Sequence, residues 1–200
     1  MRRIMTIFIG AAVACSAVVA GQAVLAQQDS GGNILDKAIN KFGVNWAVYG
    51  ANQSTKMMKD PSVQGGQFLR VTVTAKGANP WDVGASSPIQ KPIAAGDTIL
   101  VAIWLRAPQL KDGETISLPY IGANGAAAPY DALVNANVNI TNAWKLYYAS
   151  GKASKNFAGN SMNATVHLAS DKHVVDLGPV FVLDFGQNYT NKLPDNNDPQ

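Results

Sequence analysis

Residues 68–107 read FLRVTVTAKGANPWDVGASSPIQKPIAAGDTILVAIWLRA, and this stretch decides the fold. Leu69, Val71 and Val73 alternate with Arg70, Thr72 and Thr74, the two-residue period of a strand with one wet face. Asp97 to Ala107 carries Ile99, Val101, Ile103 and Leu105 on one side, and Leu100, Ala102, Trp104 and Arg106 on the other. Gly96-Asp97 marks the turn that opens it. The two strands flank a polar loop, and no long apolar 3.6-residue period competes with them.

The pattern repeats outward. Strands are expected near Trp46–Tyr49 and at Glu114–Ile121, Ala132–Ile140, Trp144–Ser150, Asn163–Ala169 and His173–Leu183. Turn residues separate them: Lys111-Asp112-Gly113, Gly122 to Gly125, Thr141-Asn142 and Ser170-Asp171-Lys172. Asn33 to Gly50 mixes helical and strand periods and reads as irregular chain leading into a strand. Many short strands joined by Gly, Asn and Asp turns give an all-β sandwich or jelly roll.

The ends bound the domain. Arg2 and Arg3 precede an apolar run from Ile4 to Ala20, and Val24-Leu25-Ala26 suits cleavage before Gln27. Residues 1–26 are therefore expected to be a signal peptide and 27–32 a linker, leaving no membrane span after cleavage. The β-sandwich is expected over 33–185, and 186–200 (GQNYTNKLPDNNDPQ) as a disordered tail. Export points to a bacterial periplasm or exterior. Removing the signal takes the 16 basic residues to 14 against 13 acids, so the pI near 9 is no nucleic-acid footprint. Cys15, the only cysteine, goes with it, and the fold must be held by its core rather than by disulfides.

Asn79-Pro80-Trp81-Asp82 is the candidate site. A sugar ring presents a C–H face that stacks on an indole and hydroxyls that need directional partners. Trp81 supplies the first, Asn79 and Asp82 the second, with Gln90 a weaker partner. Tyr120 and Tyr130 flank a Gly/Ala-rich loop that can rim a groove, and Trp104 would face the surface beside Arg106. Trp46 and Tyr49 can add to it from the N-terminal strand. Bond-breaking chemistry finds less support. His167 and His173 lack metal-ligand spacing, there is no Gly-x-Ser-x-Gly elbow, and Glu114 is the only glutamate for a carboxylate pair.

Four segments resemble the family-4, family-9 and family-22 carbohydrate-binding modules of bacterial xylanases and cellulases. Gly66 to Val73 is similar to their opening strand, and Asn79 to Val83 to their tryptophan–aspartate–hydrophobic strand. Ile93 to Ala107 looks like their glycine-centred turn and following strand. Val138 to Tyr147 matches "valine-x-leucine-threonine-x-x-tryptophan-x-x-tyrosine", which makes Trp144 a core residue. The resemblance implies a galactose-binding-domain-like jelly-roll β-sandwich that recognises poly- or oligosaccharide without catalysis. Two positions depart from it. Gly84 stands where the family often has a sugar-binding glutamine, and Gly178-Pro179 where it has calcium-binding acids. No cofactor or metal is therefore expected; Asp36 and Asp176 are the calcium ligands that would remain. The alternatives are an envelope structural or adhesion protein using the same sandwich for protein contacts, and a glycan hydrolase or lyase with an unrecognised site.

Overall fold

In the computed structural model, which describes residues 33–197, the strand expected over Asp97 to Ala107 sits between two neighbours and is buried on both faces. Ten strands follow in chain order: β1 Ala47–Gly50, β2 Gln53–Lys59, β3 Gln67–Val73, β4 Val83–Ile89, β5 Thr98–Arg106, β6 Ile116–Gly125, β7 Ala132–Ile140, β8 Lys145–Lys152, β9 Met162–His167 and β10 His173–Asp184. They form two five-stranded antiparallel sheets, ordered β2-β3-β10-β5-β8 and β1-β4-β9-β6-β7. The fold is a jelly-roll β-sandwich, as the sequence pattern requires. The described residues contain three short 3₁₀ turns and no α-helix; none of their helices is long and apolar enough to cross a membrane.

The main core lies between the sheets. Val71, Val73, Ile99, Val101, Ile103, Leu105, Val180 and Val182 face it from the first sheet. Val83, Ala85, Leu118, Ile121, Ala123, Ala164 and Val166 face it from the second. A second apolar layer covers the outer side of the first sheet, where Leu100, Ala102, Trp104, Tyr148 and Phe181 meet Ala38, Val63 and Phe68. That layer explains why β5 is apolar on both faces. The outer side of the second sheet is left open, and the site is there.

Charge is buried on the covered side. Asp176 on β10 pairs in register with Arg70 on β3 and with Arg106 on β5. Its carboxylate is fully buried and accepts from Arg70 Nε at 2.7 Å and Arg106 Nε at 2.8 Å. Arg106 Nη1 reaches Asp60 at 2.8 Å, and Trp144 Nε1 donates to the same carboxylate at 3.0 Å. Asp176 is thus a structural counter-ion for two arginines.

Three differences from the sequence reading have physical causes. β2 (QSTKMMK) is an edge strand with both faces largely exposed, so it carries no apolar alternation. β4 (VGASSPI) reads as loop because of its Gly, Ser and Pro content. Its Pro88 lies beyond the end of β1, whose pairing stops at Ser86, so no ladder bond is lost to that neighbour. In the tail expected to be disordered, residues 186–197 are described, and two of them dock on the first sheet. Leu193 joins the outer apolar layer, and Asn196 exchanges two hydrogen bonds with the Tyr148 backbone, at 2.7 and 2.8 Å. The apolar face would otherwise be bare to water, and an amide side chain satisfies the free edge of β8. The signal and linker segments, 1–32, and residues 198–200 lie outside the described residues.

Candidate functional site

Strand alternation builds the site on the open face. Along β9, Ala164 and Val166 point into the core, so Asn163, Thr165 and His167 point the other way. Register then aligns rows across the sheet. Tyr49 pairs with Gly84, and Gly84 with His167. In the next row Ser86 pairs with Thr165 and Thr165 with Gly122, and beyond it Asn163 pairs with Asn124. Tyr49, Ser86, Asn124, Asn163, Thr165 and His167 line a groove of about 690 Å³, together with Trp81, Ala126, Pro129 and Tyr130.

Trp81 reaches the groove because a 3₁₀ turn, Pro80–Asp82, ejects it just before β4. Proline at the first position of that turn loses no hydrogen bond. Asn79 N–H donates to Asp82 Oδ2 at 2.8 Å, the Asn79 amide donates to Asp82 Oδ1 at 3.5 Å, and Asp82 N–H donates to Asn79 O at 3.1 Å. Ala169 N–H donates to Pro80 O at 2.9 Å, tying the turn to the chain leaving β9. The indole is left 55% exposed.

An aromatic row follows. Trp81 meets His167 edge-on, with centroids 6.1 Å apart at 63°, and His167 stacks on Tyr120 at 4.5 Å and 23°. Tyr120 donates to Ala123 O at 3.2 Å, which fixes the ring. Tyr49, 42% exposed, lies across Gly84. Tyr130, 61% exposed with φ 56°, forms the rim; its loop is closed by Tyr130 N–H donating to Ala127 O at 2.9 Å and by the Lys155–Asp131 ion pair.

The groove is electrically quiet. Among the described residues that line it there is no Asp, Glu, Lys or Arg. Burial pushes the Tyr120 hydroxyl up to about 12, with Tyr49 adding to the shift, and burial also raises Tyr49. Burial lowers His167 below its usual 6.5, so the ring is neutral at pH 7. The sign for stability follows. The unfolded chain binds a proton at His167 more readily than the folded one, so this contribution is flat above about 6.5 and destabilises as pH falls from there through the depressed folded value. Urea midpoints measured from pH 8 to 5 should therefore decline more in wild type than in His167→Gln. Equal slopes would show that the imidazole is not held neutral.

The expected site residues divide. Trp81, Tyr120 and Tyr130 line one groove, and Tyr49 joins them. Asn79 and Asp82 do not line it; their polar groups are spent on each other in the turn, which makes them supports of Trp81 rather than hydroxyl partners. Trp104 is on the other sheet, 8% exposed in the outer apolar layer, with Nε1 donating to Gln64 at 3.3 Å. It faces away from the core as its alternation demands, but chain segments cover that surface. Trp46 donates to Gly178 O at 2.8 Å and serves packing; Gln90 lies outside the lining. Sequence reasoning missed Ser86, Asn124, Asn163, Thr165 and the position of His167. The run Asn163-Ala164-Thr165-Val166-His167 held the signal, with a polar residue every second place on a strand.

No protein-family profile matches the chain, and no curated protein matches it in sequence. Solved structures do match. A family-4 carbohydrate-binding module superposes with TM-score 0.53 at 15% identity, over 70% of this chain and 94% of that one. The second N-terminal cellulose-binding domain of Cellulomonas fimi β-1,4-glucanase C gives TM-score 0.53 at 13% identity, over 74% and 94%. An arabinose-bound GH51 α-L-arabinofuranosidase matches with TM-score 0.53 and 13% identity over 77% of this chain, which spans only 27% of that enzyme. At such identities the likeness establishes the fold: this chain has the sandwich of carbohydrate-binding modules of the family-4 type.

Proposed function

We propose that the groove binds neutral poly- or oligosaccharide, and that the chain is an exported, non-catalytic recognition domain. One observation carries the reading: an uncharged groove on the open sheet combines exposed aromatic rings with amides and hydroxyls. Trp81, Tyr49 and Tyr130 offer faces to pyranose C–H groups. Asn163, Thr165, Ser86 and Asn124 offer hydrogen bonds; the Asn124 Oδ1 atom is buried with no partner among the described residues and would accept from a sugar hydroxyl. A hydrolase would need two carboxyls flanking the scissile bond, and no acid lines the groove among the described residues. The module-type fold agrees with a binding role, although the same sandwich also occurs inside an arabinofuranosidase.

Each stacking contact or hydrogen bond is worth about 1 kcal/mol net, so a few of them give micromolar to millimolar affinity. Electrophoresis through native gels containing xylan, β-glucan or mannan tests this directly. The protein is expected to be retarded in at least one of them. Free mobility in all three, with a folded circular-dichroism spectrum, would overturn the reading.

A further inference from the structure

We propose that Gly84 and Tyr49 act as one recognition unit: the missing side chain at Gly84 lets the Tyr49 phenol lie across β4, where it contacts the ligand and sets specificity. This rests on the glycan reading of the groove. Gly84 is not a conformational glycine, since its φ lies outside the left-handed region where other glycines of the chain sit. It is a spatial one. A methyl there would lie 2.5 Å from Tyr49 Cζ, closer still to the hydroxyl, and 3.0 Å from Val166 O. Direct pairing explains the placement, because Tyr49 is the β1 partner of Gly84 and His167 its β9 partner.

The phenol therefore bridges toward His167 across a strand that offers no side chain of its own, extending the row formed by Trp81, His167 and Tyr120. The hydroxyl end of the phenol sits over buried Gly84; Tyr49 is still 42% exposed and lines the groove. Its hydroxyl makes no hydrogen bond to another described residue and is left for a ligand. Any larger residue at 84 would displace the aromatic arm with its own side chain and change which sugar faces the floor accepts. A purely structural role, an aromatic ring shielding a strand glycine, predicts the opposite split: altered stability and unaltered binding.

Affinity electrophoresis in xylan, β-glucan and mannan gels, with thermal melts alongside, decides it. The proteins are wild type, Tyr49→Ala, Gly84→Ala and the double variant. In whichever gel retards wild type, each single variant should weaken binding about threefold to tenfold, and the double no further, because both changes remove the same ring. If Gly84→Ala alone melts early, the double variant should recover most of the loss, since the methyl no longer meets the phenol. Wild-type retardation by either single variant, additive losses, or failure of the double variant to recover stability overturns the assignment while leaving the glycan reading intact. Free mobility of wild type in all three gels overturns both.

Discussion

Asp176→Asn is expected to lower the unfolding free energy by about 3–5 kcal/mol, the cost of removing one partner from a buried ion pair. The carboxylate is fully buried and is held by two guanidinium groups, one from each neighbouring strand. Asparagine keeps the shape but turns an NH₂ toward a cation; it removes the carboxylate that Arg70 pairs with and leaves Arg106 its ion pair with Asp60. Both arginines also lie over the Phe68 ring, at 5.6 and 5.2 Å from its centroid, so they cannot swing out without giving up packing. Arg70→Leu should cost less, because that side chain is 30% exposed and Arg106 still pairs with Asp176. Urea denaturation measures both. A loss under about 1 kcal/mol for Asp176→Asn would mean that water reaches the cluster and screens it.

Trp81→Ala is expected to weaken glycan binding at least tenfold, about 1.4 kcal/mol, while changing stability by no more than about 0.5 kcal/mol. The ring is 55% exposed and its closest aromatic neighbour is the edge of His167, so little packing is lost on truncation. What goes is the one indole among the described residues that line the groove. For a ligand of millimolar affinity, a tenfold loss abolishes visible retardation in a gel. Disrupting the turn should imitate the effect in part: Asp82→Ala frees Asn79 N–H and lets the indole wander, though Asp82 itself does not line the groove. Undiminished retardation of Trp81→Ala, with wild type retarded, would move the binding surface away from this end of the sheet.

Placement of the groove also shows why module-like sandwiches tolerate so little sequence likeness. The core needs only apolar residues at alternate positions, and Val, Ile, Leu and Ala exchange freely there. The outer rows of β4, β6 and β9 lie outside that core, so polar residues are admitted there without disturbing it. An identity of 13–15% to solved modules is compatible with a shared backbone for that reason.

Part of this was written in the chain. Alternation in β3 and β5 and the turn residues between later strands set the class, because a strand face that must be buried cannot avoid a period of two. Trp81 was legible as an exposed aromatic, since proline and a capping pair precede and follow it. What needed the folded molecule was partnership across strands. Nothing local tells that Tyr49 lies on Gly84, that Asp176 falls between two arginines, or that the Trp104 face is roofed by residues 34–38 and 185–193. Those facts depend on register and on where distant segments come to rest. Asn79 and Asp82 make the same point in reverse: their chemistry suited a ligand, and only geometry revealed that each had already taken the other.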